Sequence, residues 1–326
     1  MDIPYLEHFS LNEKPFGLTP DPHFYYESIT HRESVDHLKF FLAQKEGFAC
    51  IYGDVGTGKT VLSRIFLDSL DKTSYNTALI LNPIMDEKEF LHEVLRELNI
   101  PHDGLSKKEM FDTFQLFLIN EFEKGKETII IIDEAQLLSN EMLEFIRVLS
   151  NLETEKEKIL HTILLGQTEL IDTLKEPRMR YLSQRITVIY RLKPLSLREV
   201  NLYITHRLLK AGSKGFLQFK DDAIKLIYSA SNGYPRLINI ICDRCLLLLY
   251  SRSESAVDEN IVNTVLKEES ISTLAEMIKI KKKLPALPYL VAALIAVIFL
   301  ILSLFNLIPI ENILHNILTS YKGGFK

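Results

Sequence analysis

Gly53-Asp54-Val55-Gly56-Thr57-Gly58-Lys59-Thr60 sets a lysine and a hydroxyl behind three glycines in the pattern G-x-x-x-x-G-K-[ST]. Glycine carries no Cβ, so such a loop can turn its backbone N–H groups inward around a phosphate, and a helix starting at its end adds partial positive charge. Lys59 is expected to reach the β- and γ-phosphates of a nucleotide and the Thr60 hydroxyl to ligate Mg2+. That reading requires a strand before the loop and a helix after it. Further along, a run of four isoleucines at 129–132 ends in Asp133 and Glu134, as expected of a buried strand that delivers carboxylates to its C-terminal edge, where ligands bind. Asp133 should hold Mg2+ through its water shell, and Glu134 should polarise the attacking water as general base.

Other residues fit around this pair. Gln167 closes an apolar run and can bond the γ-phosphate or the water. Arg178, Arg180 and Arg185 precede another apolar run; a guanidinium reaching a neighbour's γ-phosphate would stabilise charge in the transition state, with Arg185 the first candidate and Arg180 the second. Arg236, in Gly233-Tyr234-Pro235-Arg236 at a helix start, can fold back over the nucleotide, with a pairing to Asp243 as the alternative. Asn82 is a candidate partner that restrains Glu134, or else a strand-end cap. Cys242 and Cys245 form one C-x-x-C inside a helical run; zinc needs four ligands, so these thiols read as core residues. The sequence contains no Asn-Lys-x-Asp guanine-reading motif, which favours ATP over GTP.

The elements that must position these residues follow from apolar periodicity. Runs at 48–53, 78–82, 129–133, 160–166 and 186–192 read as strands, with amphipathic helices near 59–70, 87–98, 107–124 and 140–152. This alternation predicts a parallel sheet covered on both faces. After Pro194 only helical periodicity remains, at 197–210, 221–230, 235–250 and 258–268, so a second, all-helical domain is expected.

With 326 residues, 47% hydrophobic and 25% charged, the chain can build two ordinary cores. Three cysteines point to a reducing compartment rather than a disulfide framework. The net charge of −5 has the wrong sign for a surface that tracks nucleic acid, and the N-terminus has no apolar run of signal-peptide length. Residues 284–308 hold no charged side chain, and as a helix they would extend about 37 Å, enough to cross a bilayer. Lys279, Lys281, Lys282 and Lys283 precede this span and put the long N-terminal part in the cytoplasm, with the tail at 309–326 on the far side.

Lys14-Pro15-Phe16, Leu18-Thr19-Pro20-Asp21-Pro22, Phe24, Tyr25 and His31-Arg32-Glu33 resemble the AAA+ ATPases of the general secretion pathway protein A family. So do the loop at 53–60, Asp133-Glu134-Ala135-Gln136, Leu165-Gly166-Gln167, Leu192-Lys193-Pro194-Leu195 and the stretch 233–239. The resemblance covers roughly residues 1–270. It implies an α/β fold: a P-loop AAA+ core with a five-stranded parallel sheet over 1–194 and a helical lid over 195–270. To this the sequence adds a basic connector over 271–283, the transmembrane helix over 284–308 and the tail over 309–326. It also implies ATP and Mg2+ as ligands, assembly into homo-oligomers, and work on secretion or pilus proteins of the envelope. Relatives' peptidoglycan-binding module has no counterpart in the 18 residues after the span, so wall binding is not expected. Tyr5, Phe9, Phe16 and Phe24 are read as packing on the sheet edge, with contact to adenine as the alternative.

The function expected is a membrane-anchored ATPase of the inner membrane that couples hydrolysis to assembly or operation of a secretion, pilus or polysaccharide-export system. Two other classes stay open. One is a DNA-associated ATPase of the transposition target-selection type, which net charge and the span oppose; the other is a nucleotide-switched scaffold with little turnover.

Overall fold

Isoleucine, leucine and alanine occupy consecutive positions of the central strands, so both faces of the sheet need a helical cover. The computed structural model describes residues 3–152, 157–215, 217–269, 271 and 273. Its strands are β1 (Phe48–Tyr52), β2 (Tyr75–Ile80), β3 (Glu127–Ile132), β4 (Leu160–Gly166) and β5 (Ile186–Arg191), in the sheet order β2-β3-β4-β1-β5. Every pairing is parallel. Alternate residues feed two cores: Phe48, Cys50, Ile130, Ile132 and Leu164 face one side, and Ala49, Ile51, Ile129, Ile131 and Leu165 the other.

The second face is covered by α2 (Ile29–Ala43) and α3 (Lys59–Asp68). The first is covered by α4 (Glu87–Glu97), α5 (Lys107–Glu123), α6 (Asn140–Leu149), α7 (Thr168–Leu174) and α8 (Arg180–Ser183). Asp86 with Glu89 and Ser106 with Glu109 form capping boxes that fix where α4 and α5 begin. Beyond β5, α9 (Leu197–Lys210), α10 (Asp221–Ser231), α11 (Pro235–Arg252) and α12 (Glu259–Leu266) bury their apolar stripes on one another. Cys242 and Cys245 are fully buried there.

Three expectations are corrected. Strand β2 starts at Tyr75 rather than at 78, because this edge strand carries Asn76 and Thr77 on half-buried positions that break the apolar run. Leu81 has already left the strand and is 46% exposed. The helical part is not free of strands: β6 (Gln218–Phe219) and β7 (Ala256–Val257) pair in parallel, too briefly to leave a period of two. And the N-terminal segment, opened by the short helix α1 (Pro4–His8), does not lie on the sheet edge. Tyr5 Oη and Lys14 Nζ donate to Asp243 of α11 at 2.6 and 2.8 Å, Arg207 Nε of α9 donates to the Pro15 carbonyl at 2.5 Å, and Phe16 meets Phe219 edge-on.

Among the described residues no helix is long and apolar enough to cross a membrane. The span over 284–308, the tail over 309–326 and nearly all of the connector over 271–283 lie outside the described residues.

Candidate active site

Strand β1 lies beside β4, and β4 beside β3, so the C-terminal ends of these three strands open on one edge of the sheet. Gly53 continues β1 by donating its N–H to the Gly166 carbonyl at 3.1 Å, and Asp133 continues β3 through the Ile80 carbonyl at 2.8 Å. The loop 53–58 then turns into α3, with Gly56 at φ 80° and Gly58 at φ 98°, the left-handed region that a side chain opposes. Space is equally tight. A Cβ on Gly56 would stand 2.8 Å from Arg236 Cβ, and one on Gly58 would stand 2.8 Å from His31 Nε2.

Lys59 is 5% exposed, and its ammonium donates back to the carbonyls of Gly53 at 2.8 Å and Asp54 at 3.1 Å. Burial lowers its pKa, an effect opposed by Glu134, Asp133 and Asp54. Thr60 Oγ1 donates to Asp133 Oδ2 at 2.5 Å, which brings the loop and the acidic strand end into direct contact. Burial raises the Asp133 pKa, while the Thr60 bond and the Glu134 N–H, which donates to Oδ1 at 2.9 Å, pull it down. A buried ammonium and a buried carboxylate with shifted pKa values in one cleft are an arrangement that suits a charged ligand. Hydroxyl and carboxylate oxygens side by side are hard donors of the kind Mg2+ takes, and the glycine cradle suits phosphate, so the residues present fit both groups.

Glu134 faces the same cavity as the loop, a space of about 230 Å3. Its backbone is left-handed, at φ 52° and ψ 36°. Oε2 accepts from Gln136 Nε2 at 2.5 Å and Gln167 Nε2 at 3.2 Å, and Gln136 Oε1 accepts from the Gln167 backbone N–H at 2.9 Å. The expected restraint by Asn82 is absent: its Oδ1 meets the Ile84 N–H at 3.5 Å, a local turn contact, and the amides on Glu134 come instead from Gln136 in the turn after β3 and Gln167 after β4.

The lid closes the other wall. Tyr234 Oη donates to Asp54 Oδ2 at 2.9 Å, and Arg191 stands 3.6 Å from the same carboxylate. Thr57 Oγ1 donates to the Asp54 carbonyl at 2.8 Å, and Val55 at the loop tip is 49% exposed. Arg236 lines the cavity beside Gly56; the alternative pairing to Asp243 is not formed, since Asp243 serves Tyr5 and Lys14. Leu18, Phe24, Tyr25 and Tyr26 from the N-terminal segment line the same cavity, as do Tyr203 and Arg207. Arg207 lies over the Phe24 ring at 4.7 Å and donates to Tyr203 Oη at 2.9 Å.

The arginines before β5 divide. Arg178 pairs with Glu176 at 2.6 Å, and Arg185 donates to Asn151 and, at 3.3 Å, to Ser150 Oγ at the end of α6. Arg180 is exposed, and its guanidinium has no partner among the described residues. Gln136 and His31 carry no chemistry that their spacing announces, although both stand beside residues with a candidate role. Spacing alone does not say that the turn 135–137 returns Gln136 to Glu134.

Comparison with known proteins bears on the same residues. Positions 42–174 match the AAA domain family. General secretion pathway protein A of Aeromonas hydrophila is 38% identical over 267 residues, 82% of this chain and 48% of that protein, so the chain spans about half the length of this relative. The ORC2 protein of Aeropyrum pernix, solved in ADPNP-ADP complexes, aligns with a TM-score of 0.60 over 79% of this chain and 72% of its own at 16% identity. Cdc6p from Pyrobaculum aerophilum gives 0.60 over 78% and 70% at 19% identity. At these identities the structural likeness concerns the fold alone.

Proposed function

Because the chain belongs to the AAA+ ATPases of the general secretion pathway protein A family, we propose that it binds and hydrolyses Mg2+-ATP. The work of hydrolysis goes into assembly or operation of a secretion, pilus or polysaccharide-export apparatus, from a site anchored in the inner membrane by residues 284–308. The observation that carries this reading is the 2.5 Å contact between Thr60 and Asp133, beside a Glu134 that faces the phosphate-loop cavity.

Each residue then has a task. Backbone N–H groups of 54–60 surround the phosphates, and Lys59 exchanges the Gly53 and Asp54 carbonyls for β- and γ-phosphate oxygens. Mg2+, when bound, would be held by Thr60 and, through water, by Asp133, and would neutralise phosphate charge. Glu134 accepts a proton as water attacks the γ-phosphorus and the bond to the β–γ bridging oxygen breaks, releasing ADP and phosphate. Gln167 does not line the cavity and donates its amide to Glu134 Oε2, so its task is to hold that carboxylate rather than to bond the γ-phosphate or the water directly. Arg236 carries the presence of the γ-phosphate into α11. The aromatic N-terminal segment takes the adenine end.

The test uses the full chain extracted in detergent from the membrane fraction. Lys59→Ala should abolish binding of a fluorescent ATP analogue, whereas Glu134→Gln should retain binding and release phosphate about 100-fold more slowly or worse. Normal turnover in Glu134→Gln removes the assigned base, and recovery of the intact chain in the soluble fraction removes the anchor.

A further inference from the structure

Glu134 is a long side chain on a left-handed backbone that lines the cavity, and left to itself it would sample several rotamers. Two amides prevent that. Gln136 and Gln167 both donate to the one oxygen Oε2, while neither glutamine lines the cavity. The carboxylate is thus held at Oε2 by two groups outside the cavity lining, and Oε1 is left for whatever enters the cavity.

The Gln136 amide can sit only one way round. Its nitrogen faces a carboxylate and its oxygen faces the Gln167 N–H, which belongs to the N-cap residue of α7. Turning it over would set oxygen against carboxylate and NH2 against N–H, losing both bonds. Gln136 therefore ties the general base to the start of α7 and meets a donor at a helix end that the Gln167 side chain does not cap.

From this we infer that Gln136 is a positioning residue for hydrolysis: it fixes the Glu134 carboxylate in the orientation that receives the water's proton. The inference rests on Glu134 being the base. It assigns Gln136 no contact with nucleotide, so its loss should leave ATP affinity intact and lower turnover.

The experiment measures steady-state phosphate release by the full chain carrying Gln136→Met, Glu134→Gln or both. Methionine keeps the length of the side chain and removes both hydrogen bonds. Gln136→Met is expected to lower kcat about 10-fold or more with KM for ATP within about 2-fold. Added to Glu134→Gln it should cost nothing further, because the group it positions is gone. A merely structural role would instead add in full in both backgrounds and shift KM. Gln136→Glu, of the same shape, turns attraction into repulsion and should lose at least as much, which keeps the test available if Gln136→Met does not fold. Unchanged or raised kcat in a folded Gln136 variant, or an additive loss, overturns the inference. If Glu134→Gln itself stays active the underlying reading fails; if Glu134→Gln is inactive and both Gln136 variants work, only this inference does.

Discussion

His31 lies under the phosphate loop, with Nδ1 2.6 Å from Ser28 Oγ and Nε2 in the space that a side chain on Gly58 would need. Burial pushes its pKa down to about 4, against small opposing effects from the Thr57 backbone, Glu199 and Glu27. In the unfolded chain the imidazole titrates near 6.5. Between these values the unfolded chain holds a proton that the folded chain excludes, so stability falls as pH drops through 6.5 and stops falling below about 4. The loss amounts to about 3 kcal/mol. His31→Gln removes this titration; its melting temperature should therefore decline less than that of the wild type between pH 7 and 4.5. Parallel decline of the two would show that the His31 imidazole titrates alike in the folded and unfolded chains. At this scale the sequence is readable where a residue's type implies its chemistry, as with Lys59, Thr60, Asp133 and Glu134. Gln136 and His31 escape it because an amide or an imidazole is common in neutral surroundings, and only the fold says what it touches.

Among the elements, the N-terminal segment couples most to the lid. Asp243 of α11 takes the Tyr5 hydroxyl and the Lys14 ammonium, and Asn239, one turn earlier, donates to the Gly17 carbonyl at 3.0 Å. Tyr5 is 1% exposed, and burial together with Asp243 raises its pKa. Asp243→Ala leaves that hydroxyl buried without its acceptor and should cost about 2 kcal/mol of unfolding free energy. Denaturant unfolding of Asp243→Ala against wild type measures it, and a change within about 0.5 kcal/mol would mean that the segment is not held by this bond. Strands β1, β3 and β4 and helix α3 were legible because their apolar patterns run without a break up to the loop, the acids and Gln167. The start of β2 was not, because Asn76 and Thr77 interrupt its run, and the short helix α7 leaves too brief a period to read. The path of residues 3–26 was not legible either, since aromatics spaced irregularly fit a sheet edge and a helix pair equally well, and the choice is made by Asp243, Asn239 and Arg207 far along the chain.

At the level of the whole molecule, the site within one chain supplies a loop, two acids, a pair of amides and a lid arginine, yet its arginine cluster is spent unevenly. Arg185 is committed to Ser150 and Asn151 and Arg178 to Glu176, while Arg180 points its charge at no partner among the described residues, next to a Tyr181 that is 68% exposed. An exposed apolar ring beside an unpaired guanidinium is a surface with something to gain from a second copy. We propose that an arginine acts in trans and that it is Arg180 ahead of Arg185, the reverse of the order that sequence position favours. Complementation tests this without a structure of the assembly. Arg180→Ala subunits keep an intact base and lack the trans group; Glu134→Gln subunits keep the trans group and lack the base. Each should be nearly inactive alone, and mixing them should restore phosphate release, because some interfaces then pair an intact Glu134 with an intact Arg180. Titrating one variant into the other at fixed total protein should give a maximum at an intermediate ratio. A flat profile, or full activity of Arg180→Ala alone, would return the assignment to Arg185 or to a site that works within a single chain.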